Sequence, residues 1–177
     1  LRSGEVNVLL SGRVDACVTP GMMYGFSRMR VMATRYNQSP GEASRPFDKG
    51  RDGFVLGEGA WMLLLEERER ALSRGATILA ELVGYASTCD AFHRVQIAPD
   101  VAEPVRAIEL AIADAGCAKD EIGYVNLHGT STQLNDKMET LALKKCLNSH
   151  SARVPMSSTK SMIGHPQGAC GAAGLAA

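Results

Sequence analysis

Two short stretches concentrate the residues of this chain that can do chemistry. "VNLHGTSTQLND" (125–136) delivers His128 from an apolar run into a knot of glycine, hydroxyls and an acid. "STKSMIGHPQGACGAAG" (158–174) places Lys160 and His165 five residues apart across Gly164, ahead of a glycine-rich helix start. A residue at the C-terminal end of a strand lies at the edge where ligands gather in open α/β sheets. Gly129 allows close backbone approach, and Thr130, Ser131 and Thr132 offer hydroxyls to a polar ligand. A helix N-terminus stabilises negative charge, and a neutral imidazole near that dipole donates hydrogen bonds readily. Two histidines and a lysine therefore suit a site that stabilises an oxyanion or enolate. They suit zinc poorly, since HxxxH spacing is missing and a lysine cation repels the metal, so no metal site is expected. A second reading of the first stretch stays open, a turn histidine before ordinary capping residues. Asp136-x-x-Glu139 has capping-box spacing just ahead of Met138, Leu141 and Ala142.

The other candidates carry less. His150 in "NSHSAR" reads as a solvated surface residue, and His93 in "TCDAFH" as a structural histidine of a loop. The glycines of "GFVLGEG" (53–59) fit neither a Walker loop nor a dinucleotide fingerprint, and a strand follows them instead of a helix. Five cysteines, Cys17, Cys89, Cys117, Cys146 and Cys170, form no CxxC pair and read as reduced thiols of a cytosolic protein.

Elements that could position the two stretches follow from apolar spacing. Short strands are predicted over 6–10 and across "GEGAWMLLLEE" (57–67), "ATILAELVGYAST" (76–88) and "IGYVNL" (122–127). Helices are predicted within 24–34, over "ERERALSR" (67–74) with Gly75 as the stop, and over "EPVRAIELAIADAG" (103–116). The last has Pro104 in its first turn, Val105, Ile108, Ile112 and Ala115 on one face, and Gly116 at its end. "NQSPGEASRPFDKGRDGF" (37–54) reads as a long ordered loop, and such loops tend to be functional. Strands alternating with helices imply an α/β layered fold.

Composition narrows the classes. Lys+Arg and Asp+Glu balance at 19 each, which argues against a broad electrostatic footprint for nucleic acid or an anionic membrane. No apolar run approaches the roughly 20 residues a membrane-spanning helix needs. The chain opens on Leu1 almost within a strand and stops within a helical pattern. Both ends read as cuts through a larger fold.

Taken together, "SRPFDKGRDGFVLGEGA", "ERALSRGATILAELVGYASTCDAFH", "AIADAG", "IGYVNLHGTSTQLND" and "SSTKSMIGHPQGACGAAG" resemble the β-ketoacyl-acyl-carrier-protein synthases, the elongating condensing enzymes of fatty-acid and polyketide synthesis. The resemblance implies a thiolase-like layered αβαβα fold, present in part. Residues 1–90 would be the end of the first half, with the long loop and dimer-side strands. Residues 91–177 would begin the second half and carry both catalytic histidines, His128 and His165. Lys160 would organise the pocket electrostatically, Asp136 and Glu139 would hold the network through hydrogen bonds, and Thr130 and Thr132 would line the tunnel of the phosphopantetheine arm.

The implied reaction is decarboxylative Claisen condensation of a cysteine-bound acyl group with malonyl-acyl-carrier protein. It needs no cofactor beyond the carrier's arm. The implied partners are acyl carrier protein and a second copy of the chain in a homodimer, in a cytoplasmic setting without nucleic acid or membrane. The nucleophilic cysteine would precede "GEVNVLLSG", and none of the five cysteines present has that context. Arg13 stands where the family often has a second glycine. Two alternatives are a non-catalytic partner subunit of the same fold that shapes chain length, and a small-molecule binding domain.

Overall fold

The computed structural model describes residues 1–177. β1 (Val8–Asp15) and β2 (Gly59–Glu66) pair antiparallel, from Val8↔Glu66 to Asp15↔Gly59, although residues 16–58 lie between them. β1 thus begins and ends later than the run over 6–10 suggests, because its ladder to β2 sets its bounds. The intervening chain forms α1 (Pro20–Arg28), started by Pro20 and by Thr19, whose side chain accepts from the Met22 amide. This helix overlaps the predicted 24–34 span but begins and ends earlier, since a capped proline start outweighs the apolar pattern that follows. The expected loop over 37–54 is ordered, with one 3₁₀ turn at Pro40–Glu42.

α2 (Arg68–Ser73) follows β2 and is ended at Gly75, which adopts a φ of 69°. The strand expected over 76–88 does not form. A strand requires a neighbour's ladder, and here the backbone groups are met singly by side chains. The Val83 carbonyl accepts from Arg2 at 2.6 Å and the Tyr85 amide donates to Asp114 at 2.9 Å. The segment runs extended beside α3 (Ala102–Ala115), with Leu79, Leu82 and Tyr85 exposed.

α3 ends at Gly116 in the left-handed region, as its sequence predicts. Beyond it, β3 (Val125–Asn126) leads into α4 (Gln133–Leu147), and β4 (Met156–Ser157) pairs parallel to β3. The parallel pair joined through a helix is the α/β unit expected. α5 (Lys160–Ile163) is a single turn, and α6 (Cys170–Ala176) packs against β1 and β2.

The core of the β3–β4 region is built by α4. Leu127, Leu143, Cys146, Leu147 and Val154 are buried together, and the predicted α3 face of Val105, Ile108 and Ile112 packs onto them. This cluster fixes the strand that ends at His128 to the helix that carries Asp136 and Glu139. His150 is tied in as well, its Nε2 2.8 Å from the Ile122 carbonyl, so it is half-buried and not the solvated residue its polar surroundings suggest.

Leu143→Ala should lower the unfolding free energy by about 2–5 kcal/mol, as for other buried leucines cut to alanine. Urea unfolding followed by circular dichroism measures this, and a loss below about 1 kcal/mol would show that the cluster does not carry the region's stability.

Candidate active site

His128 projects one residue beyond the end of the β3–β4 ladder, where the Leu127 amide still donates to the Ser157 carbonyl at 2.7 Å. The next residues turn sharply. Gly129 has a φ of 40°, and a side chain there would run into Ser158 and Phe47. Only glycine lets the two strand ends approach this closely. His165 enters from the other side, after α5 and Gly164. Its amide donates to the Val55 carbonyl at 2.7 Å and its carbonyl accepts from the Gly57 amide at 3.1 Å, a parallel bridge onto the "FVLG" segment. The two imidazoles meet edge to face with centroids 5.3 Å apart, and Phe54 lies edge-on to His165 at 5.2 Å.

Lys160 is buried beneath this pair. Its Nζ donates to the His128 carbonyl at 2.6 Å and stands 3.4 Å from His128 Nδ1. An ammonium has no lone pair, so it can only donate to Nδ1, which leaves the ring proton on Nε2. Burial pulls the lysine's pKa below its ordinary value, while Cys170, Glu139 and Asp136 oppose that shift.

Both histidines are held near a pKa of about 4, well below the usual 6.5. For His128 the causes are loss of water around the ring and then the Lys160 charge; for His165 they are burial, then His128, then Lys160. More than a third of His128 remains open to solvent, so its desolvation is partial, but the lysine pushes in the same direction. At neutral pH the site holds two uncharged imidazoles beside one cation.

The acids do not cap α4. Thr132 is the N-cap, accepting from the Asn135 amide, and Asp136 falls inside the helix. This replaces the capping-box reading: the hydroxyl begins the helix, which frees both carboxylates for longer reaches. Glu139 accepts from the His128 amide at 2.6 Å and the Gly129 amide at 2.8 Å, so it holds the histidine's backbone. Its pKa is raised by burial, and the two amides offset part of the rise. Asp136, with 1% of its surface exposed, does not touch the histidines. It accepts from the Phe47 amide at 2.7 Å and pairs with Arg51 at 3.3 Å. Thr130 is buried and shares a 2.9 Å hydrogen bond with Thr132.

All seven residues singled out in the sequence therefore belong to one connected region. What the sequence reading gave no role is the loop that supports them. The Arg45 amide donates to Ser131 Oγ, the Gly53 amide to the Ser131 carbonyl, and Ser44 Oγ to the Lys160 carbonyl. The available signal was a long loop dense in Arg, Asp and Gly that still had to be ordered. The "GFVLGEG" glycines serve here too. A Cβ on Gly57 would collide with the Ile163 carbonyl just before His165, so this glycine admits the bridge instead of binding phosphate. His93 is turned to local use, its Nδ1 accepting from the Val95 and Gln96 amides. A cavity of about 910 Å³ opens beside His128 and Glu139, bounded across from them by Leu82–Gly84 and α3.

Known proteins resemble the chain in sequence and in fold. Residues 1–71 match the family model "Beta-ketoacyl synthase, N-terminal domain", and residues 79–177 match "Beta-ketoacyl synthase, C-terminal domain". The chain is 47% identical over 171 residues to 3-oxoacyl-[acyl-carrier-protein] synthase 2 of Synechocystis, covering 97% of this chain and 41% of that protein. It is 42% identical over 177 residues to the actinorhodin polyketide putative beta-ketoacyl synthase 1 of Streptomyces coelicolor, covering 100% of this chain and 38% of that one. The chain thus spans about two fifths of these relatives' length. Among solved structures, a type II polyketide ketosynthase in complex with its acyl-carrier protein superposes with a TM-score of 0.93 at 36% identity, over 97% of this chain and 42% of that one. A beta-ketoacyl synthase from Burkholderia phymatum gives 0.91 at 40% identity, over 98% and 41%. The α/β fold is the layered, thiolase-like fold of the ketosynthases, present in part. The chain belongs to the beta-ketoacyl synthase family.

Proposed function

We propose that the intact protein forms carbon–carbon bonds by decarboxylative Claisen condensation of an acyl thioester with malonyl-acyl-carrier protein, in fatty-acid or polyketide elongation. The observation that carries this is the pair of uncharged imidazoles, 5.3 Å apart, over one buried lysine. The relatives named as synthases support it.

The acyl group waits on a cysteine thioester, which the family pattern places before Gly4. In the malonyl group the bond to the carboxylate breaks, and its electron pair moves to the α-carbon and onto the thioester oxygen. Carbon dioxide leaves. The carbanion then attacks the acyl carbonyl carbon, and the cysteine thiolate departs as the new carbon–carbon bond closes. The chemical demand is to hold the enolate oxygen. His128, with its proton kept on Nε2 by Lys160, donates to that oxygen together with His165. Each such donor is worth about 3–4 kcal/mol, or roughly 10²–10³ in rate.

Glu139 fixes where the His128 ring stands through the backbone amides it holds, and Asp136 steadies the helix that presents Glu139. Thr130 and Thr132 face the phosphopantetheine arm. With Thr130 donating in their shared bond, Thr132 keeps its own proton free for that ligand. The reading brings with it acyl carrier protein as partner, a homodimer and a cytoplasmic setting, and it requires no cofactor of the protein's own.

In the intact protein, His128→Ala should lower malonyl-carrier decarboxylation by roughly 10²-fold or more while leaving measurable acylation of the cysteine. Undiminished decarboxylation would remove His128 from the role. The proton inventory gives a second expectation. Both imidazole NMR signals should stay those of the neutral ring from pH 8 down to about 5 and move only as the pH nears 4. In Lys160→Met both midpoints should rise, because a cation opposing protonation has gone. A wild-type midpoint between pH 6 and 7 for either ring would contradict the uncharged pair.

A further inference from the structure

Arg51 is the one cation that touches the buried Asp136, and it does more than neutralise it. Its guanidinium fans across the first turn of α4. Nε lies 3.3 Å from Asp136 Oδ2 and donates to the Thr132 carbonyl at 3.1 Å, and one terminal nitrogen reaches the Gln133 carbonyl at 3.3 Å. The other terminal nitrogen donates to the Asp48 carbonyl at 2.8 Å, which ties the fan to its own loop. The side-chain amide of Gln133 donates back to the Arg51 carbonyl, so loop and helix are joined in both directions. One turn further along the same helix, Glu139 holds the His128 and Gly129 amides.

We propose that Arg51 is a positioning residue for the histidine pair, acting through Asp136 and the start of α4 to keep Glu139 on the His128 backbone. This rests on the condensing function proposed above. Asp136 accepts from the loop at Phe47, so Arg51 and Asp136 together dock the loop on the helix. A shift of α4 by a fraction of a turn pulls the Glu139 carboxylate off the two amides, and the His128 ring loses its aim at the reacting oxygen. A lysine could supply charge at this place. It could not span Asp136 and two carbonyls at once, since only the guanidinium is a planar fork of five donors.

The test compares Arg51→Ala, Arg51→Lys and the double variant Arg51→Ala with Asp136→Asn, all in the intact protein. Arg51→Ala should lower kcat for malonyl-carrier decarboxylation by about 10- to 100-fold with KM within about twofold, the pattern of a displaced catalytic group. The amide proton signals of His128 and Gly129 should move upfield as their bonds to Glu139 lengthen. Arg51→Lys should recover only part of kcat. The double variant removes the unpaired buried charge without restoring the fork, so it should regain thermal stability and leave kcat low.

Full recovery of kcat in the double variant would reduce Arg51 to a counter-ion and overturn the proposal. A stability loss with kcat per folded molecule unchanged would also overturn it. If Arg51→Ala does not fold, Arg51→Lys decides: unchanged kcat refutes, and lowered kcat at wild-type stability supports. A wild-type protein that fails to decarboxylate malonyl carrier would sink the condensing function alone. The amide shifts of Arg51→Lys against wild type would still decide the proposal, moved signals supporting it and unmoved ones refuting it.

Discussion

The extended segment from Gly53 to Gly57 is the element on which the site depends. It runs between the two turns that carry the histidines and bonds to both. The Gly53 amide reaches the Ser131 carbonyl in the His128 turn, while Val55 and Gly57 bracket His165 in a parallel bridge. Strand geometry makes this a ruler, since consecutive residues advance by about 3.3 Å and alternate in direction. The turns are then held at a spacing that brings the rings to 5.3 Å. His165 takes its position from this segment, while the His128 turn, held by its own strand and by Glu139, is tied to the segment through Ser131. Residues 1–71 and 79–177 therefore make one site.

The electrostatics depend on which groups are kept apart as well as on which meet. A buried lysine would ordinarily seek a carboxylate, and Glu139 is on the adjacent helix. That carboxylate is already occupied by two backbone amides, and Lys160 spends its strongest bond on the His128 carbonyl. A direct Lys160–Glu139 ion pair would cancel the positive field at the imidazoles. With the pair prevented, the lysine adds to burial, the larger cause, in depressing the proton affinity of both rings, and each stays a neutral donor. Asp136 is withdrawn in the same way. Its charge is taken up by Arg51 and the Phe47 amide.

What the sequence made legible is what is local. His128 at a strand end, Gly116 ending α3 and Lys160 close to His165 can be read within a few residues of chain. The partners that give these residues their roles are remote. Arg51 meets Asp136 across 85 positions of sequence, and no local pattern announces that pair. The capping-box spacing at Asp136 and Glu139 was misleading for a related reason. Thr132 is an equally good cap three residues before Asn135, and the loop and the His128 turn compete for both acids. The 76–88 segment has strand composition, yet composition cannot provide a neighbour. Its carbonyl and amide groups are met by Arg2 and Asp114 instead of a ladder.

The cavity beside His128 bears on how strong these interactions are. Its walls are mostly the apolar faces of α3 and α4 and the Leu82–Gly84 edge, and His128, Glu139, Glu81, Tyr124, Asn126 and Asn135 bring polarity into it. In such a space, any occupant that displaces water makes an enolate expensive unless donors are already aimed at it. Removing water also strengthens each remaining charge interaction, because the dielectric around it falls. Filling the cavity therefore pushes His128 further toward the uncharged form and raises the value of its ring N–H to the developing oxyanion. The same occupant would weaken a site built on imidazolium cations, which lose solvation when water leaves. An apolar recess next to an uncharged pair, with the one cation behind it hydrogen-bonded to a carbonyl, is an arrangement that gains from being closed.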